Sequence, residues 1–117
     1  MEGMPRLSHA KLDVYRCALE FLEIVHQISK AMPAGNAELK GQLDDAASSM
    51  VLNIAEGAGR TTRGDKRKHY GIARGSAIES SAALDICLIR ELAAPPLVRK
   101  GLALLVRIVG MLTRMSL

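Results

Sequence analysis

Between Gln42 and Glu79 the chain reads QLDDAASSMVLNIAEGAGRTTRGDKRKHYGIARGSAIE, two runs of small and apolar residues joined by a basic turn punctuated with glycine. This stretch constrains the fold more than any other, because it predicts two long helices that turn back on one another. The rest of the composition points the same way. Aromatic residues make up only 3% of a chain that is 49% hydrophobic, so the core is built from Leu, Ile, Val, Met and Ala, whereas sheets favour aromatic and β-branched side chains. At 117 residues the chain is the size of one domain.

Proline and glycine divide it into four helical segments. The first opens with Ser8 as N-cap, spans about 9–32 and stops at Pro33, Gly35 and Asn36. At about 100° per residue, Leu12, Val14, Tyr15, Ala18, Leu19, Phe21, Leu22, Val25 and Ile28 share one wide arc. Asp13, Arg16, Glu20, Glu23 and Gln27 share the other, with Arg16 and Glu20 spaced as an i,i+4 ion pair. The second segment, about 37–57, turns Leu39, Leu43, Ala46, Ala47, Met50, Val51 and Ile54 inward, with Gly57 as its left-handed cap. The third, about 65–93, starts at Asp65 as N-cap and has two apolar sides. Tyr70, Ala73, Ala77, Ser80, Leu84 and Leu88 form one, and Gly71, Gly75, Ile78 and Ala82 the other. Glycine inside a helix costs about 1 kcal/mol relative to Ala, so Gly71 and Gly75 are expected where another backbone packs closely. The fourth segment, about 96–115, follows Pro95-Pro96 and confines Arg99, Lys100, Arg107 and Arg114 to a narrow stripe. Short connections predict an all-α, antiparallel up-down-up-down four-helix bundle occupying residues 1–117 as one domain. Surplus apolar surface on the third and fourth helices predicts a homo-oligomer.

Sixteen Lys and Arg against twelve Asp and Glu leave a charge of +4, which permits an anionic partner without the density of a nucleic-acid-binding tail. Cys17 and Cys87 have no metal-ligand spacing and are expected to be reduced, buried thiols. The N-terminus lacks the apolar run of a signal peptide, and Gly101–Leu112 is interrupted by Arg107 and is short of the about 20 residues a membrane span needs. The expectation is a cytoplasmic protein with no membrane role.

Several motifs invite chemical readings. Glu23 and His26 form E-x-x-H, but a di-iron bundle needs a second copy and two further inward glutamates, and His9 and His69 lack ligand sets as well, so neither metal nor cofactor is expected. Gly57-Ala58-Gly59-Arg60 lacks the G-K-[ST] ending and preceding strand of a phosphate loop. Arg63-Gly64-Asp65 is an adhesion tripeptide only by coincidence. Asn53, Glu56, Arg74, Ser76 and Glu79 lie where two helices run side by side and are expected to form a structural polar network. The cluster Arg60, Arg63, Lys66, Arg67 and Lys68 is the best functional candidate, a cationic surface able to meet phosphates, with Tyr70 beside it as one stacking surface. A solvated charged turn and a basic amphipathic fourth helix are the plainer readings of these charges.

Asn53-Ile54-Ala55-Glu56-Gly57-Ala58-Gly59-Arg60 and Ile72-Ala73-Arg74-Gly75-Ser76-Ala77-Ile78-Glu79 together resemble the four-helix-bundle family described as 23S ribosomal RNA intervening sequence proteins. The resemblance runs over nearly the whole chain and implies an antiparallel bundle assembled as a ring of five, with no established enzymatic activity. More distantly it extends to accessory proteins of diversity-generating retroelements, which bind a reverse transcriptase and nucleic acid. Asp44 and Asp45 stand where many family members carry basic residues, which weakens a nucleic-acid face on the second helix. The expectation is therefore a non-enzymatic scaffold or binding protein, meeting RNA, DNA or nucleoprotein through the basic turn, or alternatively a protein–protein interaction module with no nucleic-acid role.

Overall fold

The computed structural model describes all 117 residues. A 3-10 turn at Ser8–Lys11 precedes four helices, α1 (Asp13–Ala31), α2 (Ala37–Gly59), α3 (Arg63–Ile89) and α4 (Pro95–Met115), and there are no strands. Each helix packs on its neighbours in the chain, and α1 packs on α4, which closes a four-helix bundle. The 3-10 turn lies across α1 and α2.

The buried interior is aliphatic. Phe21, the chain's single phenylalanine, and Leu43, Met50, Ile54, Leu84, Ile108 and Leu112 are fully enclosed in one cluster. Ala18, Ala47, Ala73 and Ala77 are equally enclosed and leave room for the larger side chains opposite them. Cys17 and Cys87 are free, buried thiols. Burial pushes the Cys87 thiol up from its ordinary pKa, with the Arg90 charge opposing the shift, so the thiolate that would react is disfavoured.

The helix ends differ from the sequence reading for local reasons. Ser8 does not cap α1. It starts the 3-10 turn, and Leu12 in extended conformation separates that turn from a helix whose N-terminus has no side-chain cap. Arg16 reaches back to Asp13 at 2.6 Å rather than forward to Glu20. Gly57 is not a left-handed cap, because α2 continues through it to Gly59 and only Gly3 and Gly35 among the glycines have positive φ. Thr62, not Asp65, caps α3: its hydroxyl accepts from the Asp65 amide at 3.1 Å, which moves the start of the helix to Arg63.

The C-terminus of α3 falls at Ile89, short of residue 93, in a Schellman motif. The Leu92 amide donates to the Cys87 carbonyl at 2.9 Å and the Glu91 amide to the Leu88 carbonyl at 3.1 Å. Glu91 accordingly adopts φ 56°, a conformation that ordinarily goes to glycine. The apolar contacts of Leu92 with the core accompany the motif. Pro95 then occupies the first position of α4, where its missing N–H has no partner to lose.

Of the two apolar sides expected on α3, only the one carrying Tyr70, Ala73, Ala77, Ser80 and Leu84 faces the core, and Leu88, expected with them, is exposed near the end of the helix. Gly71, Gly75, Ile78 and Ala82 face outward. A Cβ added at Gly71 or Gly75 would meet nothing within 4 Å. Ile78 within this strip and Ile72, Ile86 and Ile89 beside it have 49%, 43%, 37% and 83% of their surface exposed.

Candidate functional site

The antiparallel path gathers one end of the bundle from three separate stretches of chain: the N-terminal segment, the α2–α3 turn with the first turns of α3, and the last turn of α4. Residues 1–16, 56–69 and 111–117 hold nine Lys and Arg but only four Asp and Glu, whereas the remainder holds seven and eight. The net positive charge of the molecule therefore sits at this end.

The five cations expected as a cluster do not act alike. Arg60 is paired with Glu56, Nη2 to Oε2 at 2.9 Å. Lys66 turns inward, and its Nζ donates to the carbonyls of Gly57 at 3.2 Å and Ala58 at 3.1 Å. That contact satisfies the last acceptors of α2 and places a positive charge at the negative end of its dipole. Arg63, Arg67 and Lys68 are exposed and have no carboxylate within ion-pairing distance. They are the cations free to meet a ligand. The sequence reading missed Arg6, Lys11, Arg16 and Arg114, which come to the same end from remote positions. Arg16 is engaged by Asp13 and by the Lys11 carbonyl at 3.2 Å.

Tyr70 does not serve as a stacking surface. Its ring is buried against Gly57, and burial raises its pKa above the ordinary phenol value. The aromatic pair nearest the basic end is instead His9 with Tyr15, edge to face with centroids 4.7 Å apart.

The glycine-rich Gly57–Gly59 segment forms the C-terminal turn of α2. It offers carbonyls rather than N–H groups to the turn, the wrong polarity for a phosphate cradle. Glu23 and His26 are exposed along a groove of about 500 Å³ between α1 and α2. No three His, Cys, Asp or Glu side chains anywhere converge as metal donors.

The polar network between α2 and α3 is smaller than expected and differently composed. The Ser76 hydroxyl donates to Ser49 Oγ at 3.1 Å, and Asn53 Nδ2 donates to the Ser49 carbonyl at 2.9 Å. His69 Nδ1 donates to Asn53 Oδ1 at 3.1 Å, which sets the tautomer because an amide oxygen only accepts. Ser49 and His69 were not anticipated; their spacing from Asn53 along and across the helices was the available signal. Glu56 instead holds Arg60, Arg74 Nε donates to Thr113 Oγ1 on α4 at 2.8 Å, and Glu79 is exposed without a partner. Asp44, one of the two acids on α2, accepts from the buried Ser29 hydroxyl and ties α2 to α1.

No helix is long and apolar enough to cross a membrane. No curated protein matches the chain significantly. Among solved structures, a protein of unknown function from the S23 ribosomal protein family of Bacteroides thetaiotaomicron VPI-5482 superimposes with a TM-score of 0.80 at 20% identity, covering 88% of this chain and 97% of its own. That likeness shows the shared fold. The family signature of the 23S rRNA-intervening sequence proteins matches residues 10–114, nearly the full bundle, and the chain belongs to that family.

Proposed function

We propose that this protein is a non-enzymatic, homo-oligomeric scaffold, a ring of five as its family likeness implies, that binds nucleic acid or nucleoprotein through the basic end of each bundle. The observation that carries the reading is the segregation of charge: nine basic against four acidic residues at one end, with Arg63, Arg67 and Lys68 unpaired. Repeated around a ring, these side chains make a cationic rim, and phosphate neutralisation by such a rim releases counterions.

The test is retention of labelled RNA and DNA as salt is raised, with Arg63, Arg67 and Lys68 replaced together by Ala. Lys66 is left intact because it caps α2. Each lost phosphate contact lowers the slope of log affinity against log salt by about 0.7–0.9. The triple variant should therefore bind weakly and with a visibly flatter slope. Unchanged affinity would reject the basic end, and a partner retained after nuclease treatment would favour a purely protein-binding role.

Assembly rests on the outward strip of α3. Gly71 and Gly75 cost about 1 kcal/mol each relative to Ala and have no neighbour within the chain that needs their smallness. A second copy whose backbone approaches there explains them, and it would also cover Ile72, Ile78 and Ile86. Gly75→Arg is expected to leave the bundle folded, since its Cβ enters open space, while dispersing the oligomer in sedimentation equilibrium. A wild-type protein that sediments as a monomer at micromolar concentration would refute the assembly.

A further inference from the structure

Beside the basic end, an open cleft of about 680 Å³ runs between the N-terminal segment and the last turns of α2. Its size lies within the range of small-ligand sites. Leu7 and Leu52, which line it, are left 76% and 64% exposed although both are large aliphatics that the core does not use. His9, Ala55, Glu56, Gly59 and Arg60 complete the lining. The His9 ring is held by its edge-to-face contact with Tyr15, and the Glu56–Arg60 pair places an acceptor and a cation side by side.

We propose that this cleft receives an unpaired nucleobase, so that the partner of the basic end is single-stranded rather than duplex nucleic acid. The inference rests on the function proposed above and specifies its ligand. Aliphatic and imidazole surfaces suit the flat faces of a base. A carboxylate accepts from the N–H groups of its Watson–Crick edge, and the neighbouring guanidinium meets a ring acceptor or the attached phosphate. The backbone continues over Arg63, Arg67 and Lys68. A duplex hides base faces and pairing edges and would gain only the phosphate contacts. An anionic membrane fits less well, because two isolated leucines are not an apolar helix face and Glu56 would be pressed against like charge.

Gly59 permits a test that leaves every charge in place. A Cβ there meets nothing within 4 Å, so Gly59→Leu fills the cleft without disturbing the helix packing. The assay is fluorescence anisotropy with a short mixed-sequence single strand, the same sequence as a duplex, and phosphatidylserine vesicles, all at one salt concentration. The wild type should prefer the single strand, and Gly59→Leu should cost it about tenfold in affinity, the scale of one lost base stack, while duplex affinity stays unchanged. Leu52→Ser, which removes one wall instead, should act in the same direction. Equal wild-type affinity for single strand and duplex overturns the base pocket but leaves the phosphate-binding reading standing, as does a ratio unmoved by both variants. Vesicle binding that Gly59→Leu abolishes, with no single-strand preference, overturns it in favour of a lipid surface. Absence of binding to either nucleic acid overturns the pocket and the proposed function together.

Discussion

Phe21→Ala is expected to lower the unfolding free energy by about 3–5 kcal/mol, a large share of what a domain of this size holds. Phe21 is fully buried, so removing its ring leaves a cavity inside the closed core. The ring also fits a particular gap. A Cβ built on Gly101 would lie 3.4 Å from Phe21 Cε1, 3.3 Å from Leu84 Cδ1 and 3.5 Å from Ile24 Cγ2. Gly101 thus lets α4 settle against α1 and α3 at the level of the ring. Gly101→Leu alone should overpack the junction and cost about 1–3 kcal/mol. Combined with Phe21→Ala, it should recover part of the loss by refilling the cavity, so the two changes should be clearly non-additive in urea unfolding. A Phe21→Ala loss below about 1 kcal/mol would contradict the close packing at this junction.

Gly57→Ala should also destabilise the protein, against its helix propensity. In an open helix Ala is favoured over Gly by about 1 kcal/mol. Here the added Cβ would stand 2.6 Å from Tyr70 Cε1 and 2.8 Å from Cδ1. The Tyr70 ring is buried and planar, and it cannot yield as a flexible chain end would. A net loss of about 1–3 kcal/mol is expected from the forced shift of α3 against α2. Tyr70→Leu in the same chain should relieve most of that penalty, and simple additivity in thermal unfolding would show that the ring does not set the helix separation. The same ring carries a pH signature. Burial raises the phenol pKa in the folded state, so the unfolded chain loses its proton first, and the associated stability is present below the ordinary phenol value and lost as pH rises through the folded one. Tyr70→Phe should remove that alkaline slope.

The helices were legible because their apolar residues recur with helical spacing and because Pro33, Gly35 and Pro95 stop or start the chain by local chemistry. Their ends were less so. The α3 terminus depends on Glu91 accepting a left-handed conformation that its side chain disfavours, which no propensity argument selects. Gly57 read as a cap because glycine usually ends helices by its backbone. Its actual constraint comes from Tyr70 across the α2–α3 interface, a contact between residues thirteen positions apart.

The candidate site was half visible for a similar reason. Five cations within nine residues announce a basic turn, yet linear order cannot separate Lys66, engaged by the carbonyls of α2, from Arg63, Arg67 and Lys68, which face solvent. Nor does it show that the N-terminal segment, through Leu7 and His9, shares a cleft with Leu52 and Arg60.

Composition and helical periodicity, which act through neighbours a turn apart, by themselves determined an all-α chain of four amphipathic segments with a basic turn at its centre. Only the tertiary structure decided which glycines are held by packing and which face open space, which cations are already spent, and which apolar side chains remain uncovered. Those properties depend on what approaches each residue from another helix, and the burial of a group is a property of its surroundings rather than of its own chemistry.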